Sequence, residues 1–184
     1  MTSTRINLWD IDASELSTVR EAFATQLYGL RDKSGQRLVN RLQQVGSSCL
    51  GTRALTEGRS DLDILVLPET HDSADQELIE ALLQGGYVLT GSPLHMKERQ
   101  PSYHKLLIQH EYTSLSKEAS IHTAPGREIW CKLNVIVAHQ LSHYRAFSLA
   151  QHVVEELHVT DRRQRVCIFQ AILYGNKHTI DGSF

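Results

Sequence analysis

The chain is poor in the features that mark secreted, membrane-spanning or nucleic-acid-coating proteins. Its three cysteines, Cys49, Cys131 and Cys167, are scattered and odd in number, which fits a reducing compartment and argues against a disulfide framework. No apolar run approaches the length of a membrane span. The opening Met1-Thr2-Ser3-Thr4-Arg5 lacks a basic-then-apolar leader, so a cytoplasmic location is expected. Neither sign of charge dominates: 19 Lys and Arg face 21 Asp and Glu, a net charge of −2 that gives no polybasic footprint for duplex nucleic acid. What remains open is a small molecule, a nucleotide, an RNA end or a protein.

The bulk of the sequence is that of an ordinary globular chain, 41% hydrophobic and 22% charged over 184 residues. A chain of this size buries about 70% of its unfolded surface. We expect a single domain over residues 1–184, with residues 139–175 as a C-terminal helical part.

The most informative stretch is residues 45–67. A small-residue turn, Gly46-Ser47-Ser48, follows Val45, and Asp61-Leu62-Asp63 then heads the apolar run Ile64-Leu65-Val66-Leu67, which stops at Pro68. The run reads as a strand. Alternate residues of a strand share a face, so Asp61 and Asp63 point the same way, roughly 7 Å apart at Cα. Paired carboxylates repel unless a proton or cation lies between them. A hard divalent ion, Mg²⁺ or Mn²⁺, held jointly by carboxylate and phosphate oxygens is the usual resolution. The glycine-led turn can bring N–H groups and hydroxyls close to phosphate oxygens. Phosphate cradle and acidic metal site together suggest phosphoryl or nucleotidyl transfer. Gly46 and Gly51 have P-loop spacing, but Thr52 stands where the phosphate-binding lysine must be, which excludes that reading.

Gly46-Ser47 followed by Ser60-Asp61-Leu62-Asp63-Ile64 resembles the signature of the polymerase-β-like nucleotidyltransferase superfamily, with Gly51 and Ser60 where members often carry Gly and Ser. A more diffuse similarity, over about residues 40–157, is to the small GrpB-like group. It adds the Leu133-Asn134-Val135 strand and a helix around Tyr144-Arg145-Ala146-Phe147. The resemblance implies an α/β (α+β) fold: a nucleotidyltransferase-type mixed β-sheet with helices packed mainly on one face. It also implies the order helix, strand, Gly-Ser turn, short helix over Cys49–Leu55, and Asp-x-Asp strand.

Around this stretch the patterning is regular. Leu16, Val19, Ala22, Phe23, Leu27 and Leu30 make an amphipathic helix that ends at Asp32-Lys33-Ser34-Gly35. A second helix is expected over about Ser73–Leu83, stopped by Gly85-Gly86, then a short strand over Tyr87–Thr90. The loop 91–101, with His95, Lys97 and Arg99, reads as solvated. Tyr103–Tyr112 alternates as a strand, a turn-rich stretch follows, and Pro125-Gly126 turns the chain into a strand over Glu128–Ala138. Residues 139–157 and 162–174 read as helices, with Arg162, Arg163 and Arg165 facing water. His139 and His143 stand at i, i+4 without the glutamate of a zinc-protease helix, so local bonding is expected of them.

The resemblance calls for a third acidic residue on a later strand beside the Asp pair, to complete the metal site or take a proton. The matching position holds Asn134, which can ligate a metal through its carbonyl but cannot act as a base. Glu128 shares that face but lies roughly 20 Å along the strand. Lys132, on the same face, is placed to meet a triphosphate. The expected activity is transfer of a nucleoside monophosphate from a nucleoside triphosphate to a hydroxyl acceptor. Asp61 and Asp63 would hold Mg²⁺ (or Mn²⁺), Gly46, Ser47, Ser48 and Lys132 the nucleotide, and Asn134 the third position. The alternative is a catalytically lapsed nucleotide-binding or protein-interaction module.

Overall fold

A computed structural model describes residues 4–50, 61–90 and 112–180, with side chains between 6 and 173 within those ranges. The expectations for Gly51, Thr52, Ser60, the helix beyond Leu50, His95, Lys97, Arg99 and residues 103–111 lie outside them.

The strands are β1 (Thr4–Asn7), β2 (Val39–Val45), β3 (Asp61–Pro68), β4 (Val88–Leu89), β5 (Tyr112–Ala124) and β6 (Arg127–Ala138). They form one mixed sheet in the order β2-β3-β6-β5-β4, with β1 paired to the start of β6. β3 and β1 run parallel to β6, while β2–β3, β4–β5 and β5–β6 are antiparallel. The helices are α1 (Ala13–Tyr28), α2 (Ala74–Gln84), α3 (Leu141–Glu156) and α4 (Arg162–Ile180). None of the described helices is long and apolar enough to cross a membrane.

The mixed sheet with helices is as expected, and the helices are shared between its faces instead of gathered on one. The cause is that β3 and β6 are apolar on both faces, as buried parallel strands tend to be. One face offers Leu62, Ile64 and Val66 of β3 and Ile129, Leu133, Val135 and Val137 of β6 to α1 and α2. Leu16, Val19, Phe23 and Leu27 of α1, spaced three and four apart, are buried there, with Leu78 and Leu82 of α2. The other face presents Leu65, Leu67, Ile136 and Ala138 to α3 and α4. Phe147 of α3 sits between Tyr112 of β5 and Phe169 of α4, with ring centroids 5.5 and 4.9 Å away in tilted geometry.

One stretch departs from expectation. Residues 113–119, rich in Ser, Thr, Lys and Glu, belong to β5 and are not turns. Their alternation, with Leu115 and Ile121 buried on the α1 face, holds them in the sheet despite a polar composition.

Candidate functional site

The second face is not apolar along its whole length. At the start of β3 the register sets Asp61 beside Lys132 and Asp63 beside Asn134. Across β6, Glu118 of β5 lies opposite Lys132, and Ser116 lies opposite Asn134. Parity puts all six side chains on the α3/α4 side of the sheet, as two rows crossing three strands.

The Asp pair and Asn134 are in direct contact. One Asn134 Nδ2 donates to Asp61 Oδ2 at 2.8 Å and to Asp63 Oδ1 at 2.9 Å. A carboxylate accepts and does not donate when ionised, so it is the amide nitrogen, with its two hydrogens, that must face the pair. Asn134 Oδ1 is left buried with no hydrogen-bond partner among the described residues. Burial, and secondarily the charge of Asp61, push Asp63 up to about 7, against the opposing pull of the Asn134 hydrogen bond, Lys132 and Arg165. Two carboxylates on one face, one of them disfavoured in its ionised form by burial and by the charge of the other, make an oxygen donor set that fits a hard divalent cation.

The Gly46 turn closes the site from β2. Val45 pairs with Asp63, so the next residue passes directly over the Asp63 side chain. Gly46 has φ +78°, and a Cβ there would stand 2.1 Å from Asp63 Oδ2. Only glycine meets both conditions. Its N–H, however, does not point at open space: it donates to Oε1 of Gln151 at 3.0 Å. Gln151 is 1% exposed on α3, and its own amide donates to Glu155 at 2.7 Å. Ser48, in the short 3-10 turn Ser47–Leu50, is likewise buried, whereas Ser47 is half-exposed. Of the expected phosphate contacts, Ser47 and Lys132 are therefore presented, while Gly46 N–H and Ser48 are engaged inward.

Burial pushes the Cys49 thiol, beside this turn, up to about 11, and the thiol receives a 3.2 Å hydrogen bond from Arg20. A thiol so protonated is no nucleophile at neutral pH.

Glu128 lies four residues before Lys132 on β6, so it stands outside the two rows. Sequence reasoning missed Gln151, Glu118 and Arg165. Arg165 is half-buried and its charge reaches Asp63, whereas Arg162 and Arg163 face water as expected. Glu118 had a signal, the period-two alternation of Ser114, Ser116 and Glu118 against Leu115 and Ala119. Gln151 had none beyond being a polar residue on the buried stripe of a helix. His139 is bonded locally, to Asp75 at 2.9 Å and Thr113 at 2.8 Å, as expected.

No family model and no curated protein sequence matches the chain. Solved structures do. A small alarmone synthetase 2 from Bacillus subtilis matches with a TM-score of 0.50 at 12% identity, covering 92% of this chain and 94% of that one. A small alarmone synthetase 1 from the same organism gives 0.49 at 10% identity, covering 92% of each chain. A GTP pyrophosphokinase family protein from Streptococcus pneumoniae gives 0.42 at 8% identity, covering 92% of this chain and 84% of that one. At 12% identity the first of these likenesses speaks for the fold alone.

It corrects the assignment to the polymerase-β-like superfamily and its GrpB-like group, which the structural likeness does not support. The motif behind that assignment is a local solution to one geometric problem.

Proposed function

We propose that the chain is a divalent-metal-dependent transferase acting on a nucleoside triphosphate, and that it moves a pyrophosphoryl group to a hydroxyl of a second nucleotide. The observation that carries the reading is the Asp61–Asp63 pair: two carboxylates on one face, one with its proton affinity raised, beside a turn that tolerates only glycine. The fold it shares with a small alarmone synthetase favours this reaction over transfer of a nucleoside monophosphate.

Asp61 and Asp63 would hold Mg²⁺, which when bound neutralises charge on the phosphates. Lys132, Arg165 and the Ser47 hydroxyl surround that position with groups suited to phosphate oxygens. Asn134 sets the two carboxylates at fixed spacing. Glu118, one strand further across the sheet, supplies the missing carboxylate and takes the proton of the acceptor hydroxyl. The acceptor oxygen bonds to the β-phosphorus as the bond from that phosphorus to the α–β bridging oxygen breaks, and the nucleoside monophosphate leaves with that oxygen.

A second reading rests on Asn134. Its amide lies between the two carboxylates, bonded to both, which is how a lapsed site would quiet an acid pair without a cation. One experiment separates these. Labelled ATP, Mg²⁺ and GTP or GDP should give AMP and a product two phosphates larger, abolished by Asp61→Ala or Asp63→Ala and reduced at least a hundredfold by Glu118→Gln. Pyrophosphate release would show monophosphate transfer instead, orthophosphate release hydrolysis, and binding of ATP without turnover the lapsed module.

A further inference from the structure

The opposite end of β3 carries a second cluster that the proposed reaction does not use. β3 ends at Pro68, and His71 follows in the connection to α2. Glu77 lies in the first turn of α2, and Asp32 in the tight turn before β2, closed by the bridge between Arg31 and Arg37. One ligand atom from each of Asp32, His71 and Glu77 lies within 4.8 Å of the other two, and all three residues are half-buried. By strand rise this cluster is more than about 20 Å from Asp61.

Three details distinguish the cluster from a chance meeting of surface charges. Asp32 Oδ1 is saturated, accepting from Ser34 N, Ser34 Oγ and Gln36 N at 2.8 Å each, so the carboxylate is fixed and no described donor bonds its second oxygen. His71 Nε2 is itself buried, has no hydrogen-bond partner among the described residues and stands 3.9 Å from Glu77 Oε2. An open cavity of about 410 Å³ is lined by Asp32 and Glu77 together with Arg31, Lys33, Ser34 and Glu80.

The geometry points to a divalent transition-metal site, with Asp32, His71 and Glu77 as ligands and water in the position open to the cavity. An imidazole nitrogen with two carboxylates is a borderline donor set, suited to Zn²⁺ or its first-row neighbours more than to Mg²⁺ or Ca²⁺. Two carboxylates and neutral His71 balance the charge of the ion. Bonds of about 2.0–2.1 Å place tetrahedral ligand atoms about 3.4 Å apart. Rotation of the Glu77 side chain, 40% exposed, and of the His71 ring, 31% exposed, toward the fixed Asp32 would supply that contraction from the present spacing. Bound there, the ion ties the 31–37 turn to the start of α2, two elements otherwise joined through the sheet. This site is independent of the activity proposed above.

The test uses the full chain stripped with chelator, then titrated with Zn²⁺ by calorimetry and with Co²⁺ by visible absorption. Wild type should take up one more tight Zn²⁺ than His71→Ala, and the tetrahedral Co²⁺ bands should vanish in that variant. Asp32→Asn and Glu77→Gln should each weaken the site tenfold or more, with far-ultraviolet circular dichroism unchanged. Asp61→Asn with Asp63→Asn should leave it intact. Equal stoichiometry and equal Co²⁺ spectra in wild type and His71→Ala would overturn the inference, as would loss of the bands in the Asp61/Asp63 variant alone.

Discussion

The two faces of the sheet are built from the same strands and do different work. On the α1/α2 face every inward residue of β3, from Leu62 to Val66, is apolar and buried. On the α3/α4 face the pattern is apolar only from Leu65 onward, and the first two inward positions are Asp61 and Asp63. The same parity on β6 gives Lys132 and Asn134 before Ile136 and Ala138. One face is a core, and the other is a core that stops short. The difference teaches that the polar end is set by neighbours with few alternatives: a glycine over it, a glutamine behind that glycine and an asparagine within it.

The largest expected effects test whether the two cores are equally loaded. Phe23→Ala and Phe147→Ala each remove a fully buried ring and should cost about 3–5 kcal/mol by denaturant unfolding. Only Phe147→Ala should also weaken nucleotide binding, since α3 carries Gln151. Gly46→Ala should cost about 2–4 kcal/mol, because it combines a positive φ with a clash against a carboxylate that Asn134 pins. A similar cost for Gly126→Ala, where φ is +76° but a Cβ meets nothing within 4 Å, would show that the clash adds nothing.

Next comes pH. Asp63 binds its proton more tightly in the folded state, at about 7, than in the unfolded chain. The stability this gives is fully present below about pH 4, the unfolded value, and is lost as pH rises through about 7. Melting of chelator-treated protein should show that decline, Asp63→Asn should flatten it, and Mg²⁺ should restore stability at pH 8. Smaller again, Gln151→Leu should cost about 1–3 kcal/mol by leaving Gly46 N–H buried and unbonded. Smallest, Glu15→Ala on the opposite face should cost about 1 kcal/mol or less, because the Arg127 partner of Glu15 is exposed.

Legibility in the sequence followed the range of the interaction. β3 was readable because its β-branched and aliphatic content and Pro68 act within eight residues. Asn134 was singled out because the resemblance called for a third position on a later strand, and the register sets it beside Asp63. β5 was missed because Ser, Thr and Lys favour turns by local chemistry, and the pull of Leu115 and Ile121 toward a distant helix is not local. Gln151 was missed because its role depends on where α3 lands, 105 residues from the turn that it bonds. The family assignment failed for the converse reason: a short motif was legible and its chemistry is shared, while the fold around it is read only from the whole chain.

The placement of β1 bears on how the chain reaches this state. Thr4–Asn7 pair with Arg127–Trp130, and the next residues of β6 pair with β3, so one edge of β6 is shared between two strands far apart in sequence. Contacts spanning more than 120 residues raise the contact order and slow the search. During synthesis the first strand emerges long before its partner exists. The sheet can close only after residue 130 has left the ribosome, and until then residues 4–7 stand as an unpaired edge.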